Sequence, residues 1–281
     1  MKDFVAGGNW PMSGVTLLLS CFFLVALWEL FRPRRRLDSA VGPRWLGNLA
    51  VYLINGALIA WLFPAPSDVS ARMEATLGLG LVQWPHLLSV ANFAIGFLFL
   101  DFGRYWLHRL FHLVPWLWRL HSLHHADSDL DVSTSFRHHP VEFVVGSGLF
   151  WLALVITGFP TDIAAAYLVC ASVLSCLQHG NVALPASLEL VLQRVVVTPD
   201  MHRLHHSVVP DESNSNFGFL FSFWDRVFAT DRRAPRTAHD SIQFGLRDFR
   251  NPSFQQMLLL PLLVRSTLAL RVAQNSPKPD F

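Results

Sequence analysis

The chain has 281 residues, 52% of them hydrophobic and only 15% charged, with a formal net charge of +2. That balance sets aside a soluble protein in favour of an integral membrane one, and the small net charge excludes the basic footprint of a nucleic-acid binder. The length suits one large domain or two small ones.

Five apolar runs approach the ~20 residues that cross ~30 Å of hydrocarbon. In chain order they are Gly14–Phe31, Leu46–Phe63, Leu87–Leu107, Val141–Phe159 and Asp162–Leu177. The stretch between Lys2 and the first run is broken by Gly, Asn and Pro, and the run ends in charge without a small-residue cleavage site. A retained helix is therefore expected, not a signal peptide. Only Pro160 and Thr161 separate the last two runs, which read as a helical hairpin. A sixth run, Met257–Val272, carries Pro261, Arg265 and Arg271 and is expected to lie in the membrane interface, with a disordered tail after it. Cys21, Cys170 and Cys176 all fall inside apolar runs with no C-x-x-C pair, so they are expected to be packing residues.

Arg32, Arg34, Arg35 and Arg36 directly follow the first run and place that end in the cytosol by the positive-inside rule. Counting crossings from there puts 108–140 and everything after His179 on the same side. The 64–86 loop is left external, with Arg72 its one basic residue. His86 then falls on the opposite face, and it and His239 are expected to be solvated loop residues.

Eleven of the thirteen histidines lie within about a hundred residues. They read His108-x-x-x-His112, His121-x-x-His124-His125 and His202-x-x-His205-His206, with His138, His139 and His179 between. Residues three and four apart share a helical face, so each cluster can converge. Neutral imidazole is the commonest metal ligand. Roughly ten imidazoles exceed what one ion takes and suit two ions with four or five each. Zinc would accept imidazole too, but a structural zinc site would more often include thiolates, and no cluster contains a cysteine. Redox iron fits better with the apolar surroundings. Asp101 and Tyr105 fall on the face that carries His108 and His112. An ionisable group within a span is costly and usually functional, so Asp101 is expected to accept a hydrogen bond from a ligand imidazole, with Tyr105 serving similarly. The alternative is a purely interfacial Asp101 beside Arg104.

The order and contents of these motifs resemble the fatty acid hydroxylase/sterol desaturase superfamily of membrane di-iron oxygenases, bacterial members of the sterol desaturase type in particular. The resemblance covers Leu98 to Thr230. It runs through D-x-x-x-Y-x-x-H-R-x-x-H at 101–112, Trp118 with HSLHH, and Asp131–Thr134 leading to Arg137, His139, Pro140 and Glu142. QHGNVALP around His179 follows, then TPDMHRLHHS, Asn214–Gly218 and Trp224-Asp225-Arg226. It implies metal ligation by His108, His112, His121, His124, His125, His179, His202, His205 and His206, with His139 at a further family position. His138 stands where an aromatic or aliphatic residue is expected, and Ala229 where a glycine is usual.

The fold class implied is all-α: an integral membrane bundle of about four to five membrane helices with a cytosolic helical cap carrying a histidine-rich dimetal site. Residues 1–86 would be membrane helices and an external loop, 87–235 the catalytic domain, and 236–281 an interfacial helix and tail. The resemblance implies two iron ions, although zinc could be present in isolated protein, and dioxygen-dependent hydroxylation or desaturation of a lipid C–H bond in a bacterial inner membrane. Sterol C4-methyl oxidation and alkylglycerol ether cleavage are alternatives on the same scaffold, and a non-enzymatic zinc-binding membrane protein is another. No haem-attachment, ferredoxin or dinucleotide motif is present. Electrons would therefore come from a separate ferredoxin, cytochrome or reductase. Nothing in the sequence sets the oligomeric state.

Overall fold

The computed structural model describes residues 12–63, 89–157, 159, 161–246, 249 and 252–264. Among them there is no strand, only isolated bridges such as Val196 with Phe221. Prolines punctuate the helices. α1 (Met12–Phe31) stops just before Arg32-Pro33, and α2 (Val41–Leu62) opens with Pro43 in its first turn. α3 (Ser89–Leu113) breaks at Pro115, which begins α4 (Pro115–His125). Proline disfavours helical geometry in the residue before it, here Val114, yet is pre-set for the first helical position. The same device starts α5 (Pro140–Thr157) and α8 (Pro199–His205), the latter with Thr198 as N-cap. Between them lie α6 (Thr161–His179) and α7 (Ala186–Leu192). α9 (Phe254–Leu263) is capped reciprocally by Ser253 and Gln256.

Four helices are long and apolar enough to cross a membrane, over Gly14–Phe31, Val41–Leu62, Pro140–Thr157 and Asp162–His179. Their outward faces carry bare apolar side chains; Trp61 is 80% exposed and Leu24 67%. This is the surface that lipid covers. The run expected at Leu87–Leu107 is helical as α3 from Ser89 on, but it is not among the four. Asp101, Arg104 and Arg109 dilute its hydropathy. Residues 64–88, including His86, lie outside the described residues, as do Arg265, Arg271 and the tail. The ten-residue α9 is too short to cross and packs on α4 through Met257 and Leu260.

The four spans surround and carry a polar cap. α1 packs on α6, α2 on α5, and α3 on α4, α5 and α6. α2 buries a polar stripe, Arg44, Asn48 and Asn55. Arg44 bonds Asp127 at 2.8 Å and Asp131 at 2.9 Å. Asn48 donates to Ser133 Oγ and accepts from Arg137, while Asn55 donates to the His138 carbonyl. Buried charges need such partners, and they pin the 127–138 segment against the membrane helices. From α1, Glu29 accepts backbone N–H bonds from Val132 and Asn181. The three cysteines are free thiols.

Candidate metal centre

Nine of the expected ligand histidines converge in two buried sets. His108 and His112 from the end of α3, His121 and His125 from α4, and His205 from α8 form one. His124 from α4, His179 from the last turn of α6, and His202 and His206 from α8 and its C-cap form the other. Within each set the nitrogens that would bind an ion lie within 4.8 Å of one another. The i, i+3, i+4 spacing of α4 and α8 sends neighbours to opposite sets, so each short helix serves both.

Five of the nine rings are oriented from behind. His108 Nδ1 donates to the Phe217 carbonyl (3.0 Å), His205 Nδ1 to the Ser215 carbonyl (2.8 Å) and His121 Nδ1 to Glu142 Oε1 (2.7 Å). His124 Nδ1 donates to the Arg137 carbonyl (3.2 Å) and His179 Nδ1 to the Ser175 carbonyl (2.8 Å). A carbonyl can only accept, so in four of these rings Nδ1 carries the proton and Nε2 presents a lone pair inward. Yet Nε2 of His124 lies 3.1 Å from Nε2 of His179, so two lone pairs face each other. His202 Nε2 stands 2.9 Å from the same His179 atom. In the other set, Nε2 of His112, His121, His125 and His205 is buried with no hydrogen-bond partner. A proton cannot cheaply relieve this. Burial first, then neighbouring imidazoles, hold His124, His125, His202 and His206 well below the ordinary imidazole range, and burial holds His205 at about 3. Converging neutral lone pairs behind donated N–H bonds are what a divalent cation requires. The donor set fits such ions.

His139 departs from expectation. Its Nε2 meets the Leu258 carbonyl at 3.1 Å and its Nδ1 accepts from Val141 N–H, so both ring nitrogens are engaged at the start of α5, away from both sets. His138 turns inward instead. It stacks on His124 (4.5 Å, 13°) and reaches Glu142 Oε1 at 3.1 Å, forming a third cluster of His121, His138 and Glu142.

Asp101 also differs from the expected imidazole partner. Fully buried, it accepts from Tyr167 Oη, the Leu220 and Phe221 amides, and Trp224 Nε1, at 2.9–3.1 Å. Tyr105 Oη pairs with Thr230 Oγ1 at 2.9 Å. Both side chains tie the 216–230 loop to α3, and no imidazole is among these partners. That loop supplies the Phe217 ring, packed on His108, His112 and His205, besides the Phe217 carbonyl. Asp225 holds it by accepting from the Phe217 and Gly218 amides. A side chain on Gly218 would collide with the Phe221 carbonyl at 2.7 Å and Asp225 at 2.8 Å, so the close approach requires glycine. The sequence motifs include Glu142 and Asp225, but sequence reasoning assigns neither a role at the site. Glu142 carries a signal of its own, lying four residues after His138 at the start of an apolar helix; Asp225 is marked only by its place in the Trp224-Asp225-Arg226 motif. His239, expected in solvent, is half-buried and lies 3.7 Å from Asp200, which also pairs with Arg34.

Comparison with known proteins agrees with this centre. Residues 93–230 match the family model described as fatty acid hydroxylase. An ornithine lipid hydroxylase, OlsE, of Rhizobium tropici is 32% identical over 80% of this chain and 68% of its own. The chain belongs to the fatty acid hydroxylase family. Other relatives are the human alkylglycerol monooxygenase, 31% identical over 48% of this chain and 29% of its own, and a C-4 methylsterol oxidase of Schizosaccharomyces pombe, 30% identical over 61% and 56%. The chain thus spans about two thirds of the first relative and under a third of the second. No solved structure matches significantly. As a fatty acid hydroxylase family member beside relatives named hydroxylase, monooxygenase and oxidase, the chain is an oxidoreductase of the oxygenase class.

Proposed function

We propose that the chain is a membrane di-iron oxygenase that hydroxylates or desaturates a C–H bond of a membrane lipid. The observation that carries this is the division of nine imidazoles into convergent sets of five and four. His108, His112, His121, His125 and His205 would hold one iron, and His124, His179, His202 and His206 the other. Two bound ferrous ions supply dioxygen activation for attack on an unactivated C–H bond. The chain's own groups do the rest. Glu142 and the carbonyls of Ser215, Phe217, Arg137 and Ser175 keep His121, His205, His108, His124 and His179 in the tautomer that offers Nε2. Asp101 and Tyr105 hold the loop that presents Phe217. Phe217, Phe111 and Trp118 pack against the rings and exclude water.

Oxidation of a relative's kind, ether cleavage or C4-methyl oxidation, is an alternative on this scaffold because both names occur among the relatives. The histidine sets face the cytosol in this reading, since Arg32, Arg34, Arg35 and Arg36 follow α1 on the cap side. A separate ferredoxin, cytochrome or reductase delivers electrons there. The test combines metal analysis of protein made in iron-replete medium with lipid analysis of cells given labelled dioxygen, with and without the gene. Iron in the protein and label in a lipid are expected. Zinc alone with no iron-dependent oxygen consumption would overturn the proposal, and turnover on a nicotinamide cofactor without an added redox partner would overturn the separate donor.

A further inference from the structure

The loop that Asp101 holds reaches far down the bundle. Tyr167, which shares that carboxylate with the loop, stands twelve residues before His179, about 18 Å of helix. It lies well inside the Asp162–His179 span. The Phe97 ring meets both Tyr167 (5.2 Å) and Phe221 (6.2 Å), so Phe221 sits near that depth. An antiparallel bridge from Val196 to Phe221 brings the 193–197 strip alongside. Non-helical backbone survives at membrane depth only where protein serves its polar groups, and here protein does. Asp101 accepts from the Leu220 and Phe221 amides, Gln178 donates to the Val197 and Phe219 carbonyls, and the Ser222 amide donates to the Val195 carbonyl. The Gln193 carbonyl accepts from Ser222 Oγ and the Arg194 carbonyl from Arg226. The outward side chains are the reverse. α7 has no buried residue and bares Leu188, Leu190 and Val191, and Val195 and Val227 are 55% and 64% exposed. The 231–241 stretch of the cap, by contrast, exposes Asp231, Arg233, Arg236 and Asp240.

We propose that residues 186–197 and 219–227 form a lip of the cap that dips into the leaflet on the cap side, with lipid acyl chains as the partner of Leu188, Leu190, Val191, Val195 and Val227. Continuity decides the occupant. Phe102 of α3 packs on Trp224 of the lip at 5.1 Å, and one helical turn before it Leu98 is bare. One apolar surface therefore runs from the lipid-facing bundle onto the cap, and in water it would be an exposed patch of the kind that marks an interaction site. The charges of the lip suit this placement. Glu189 of α7 is turned inward onto Thr198, and the exposed Arg194 has a stem long enough to carry its head to the lipid headgroups. Asp101 then does for this loop what water does for a surface loop, which accounts for a carboxylate inside the bundle. The proposal goes beyond the oxygenase reading and does not depend on it.

The test uses the full chain in nanodiscs of phosphatidylcholine and phosphatidylglycerol, which leave both membrane faces open to reagents. In the first arm a charged, membrane-impermeant maleimide is applied to Leu190→Cys, Val227→Cys and, as a water-facing control, Thr237→Cys. Sites are read by peptide mass spectrometry, so the native Cys21, Cys170 and Cys176 do not interfere. A thiol reacts as the thiolate, which needs water, so the two lip positions should label about tenfold or more slowly than the control. In the second arm the unaltered chain is irradiated with phosphatidylcholine carrying a diazirine midway along one acyl chain. Adducts are expected within 188–195 and at 227, and none within 231–241. Labelling of Leu190→Cys as fast as Thr237→Cys would overturn the proposal by placing the lip in water. Protection without acyl-chain adducts would overturn it too, since a second copy or another protein would then cover the face. The second arm needs no substitution, so it decides the matter even where a variant misfolds, and neither arm depends on which metal the histidines hold.

Discussion

The two imidazole sets are built from the same helices but braced differently. The five-membered set leans on a loop: the carbonyls of Ser215 and Phe217 orient His205 and His108, and the Phe217 ring fills the space behind three of its rings. The four-membered set leans on helices: Ser175 lies one turn before His179 on α6, and Arg137, whose carbonyl holds His124, is clamped by Leu123 O and Asn48. One set therefore inherits the order of an irregular segment and the other that of the membrane bundle. Damage to the loop should reach the first before the second.

The largest effect is expected from removing a ligand. His205→Ala and His124→Ala should each abolish activity and lower metal content, measured by elemental analysis. His124→Ala should cost its set more, because three imidazoles remain there against four in the other. Equal metal content in both variants and the unaltered chain would break the comparison. Next comes Glu142→Gln, which weakens the brace on His121 and should cost about 10–100-fold in metal affinity or activity.

Acid should act on both sets. In the unfolded chain their imidazoles titrate near ~6.5, whereas the folded chain holds His125 and His206 well below that and His205 at about 3. Below ~6.5 the unfolded state thus binds more protons, so the stability of chelator-treated protein should fall steadily as pH drops from there towards about 3. A melting temperature unchanged between pH 7 and pH 5, on the order of the window set by these values, would refute this account.

Asp101→Asn presents an amide to a site lined by four donors and should destabilise by about 2–3 kcal/mol, read in denaturant unfolding. His124 and His179 should keep their metal while the five-membered set loosens. The smallest effect tests the same loop in the opposite direction. Ala229 sits at φ 52°, in the left-handed region that suits glycine, so Ala229→Gly should stabilise by about 1 kcal/mol. A loss of stability would mean the loop is held by something other than its backbone geometry.

Much of this was legible in the sequence. Helical spacing picked out His121, His124 and His125, and His202, His205 and His206, as clusters near the site, but the structure divides each cluster between the two sets; hydropathy located four of the five expected spans. What escaped is non-local or carried by the backbone. The acceptors for His108 and His205 are carbonyls, which every residue has. The donors to Asp101 come from residues 66 to 123 positions away, so its place on the His108 face suggested a partner it does not have. The choice between His138 and His139 depends on how the short 3-10 turn Val132–Phe136 hands the chain to α5. A shift of one residue there exchanges an inward ring for one that caps a helix. Ala229 differed from the usual glycine without visible cost until its φ placed it where glycine is favoured.

The polar stripe of α2 bears on how the protein is made. Arg44, Asn48 and Asn55 find their acceptors and donors 83 to 89 residues later in the chain. During synthesis α2 is therefore made before those partners exist, and its buried Asn48 and Asn55 lack hydrogen-bond partners until then, which is costly away from water. Stable insertion of this helix is thereby coupled to arrival of the 127–138 segment, so biogenesis of the membrane anchor and assembly of the cap become a single cooperative event.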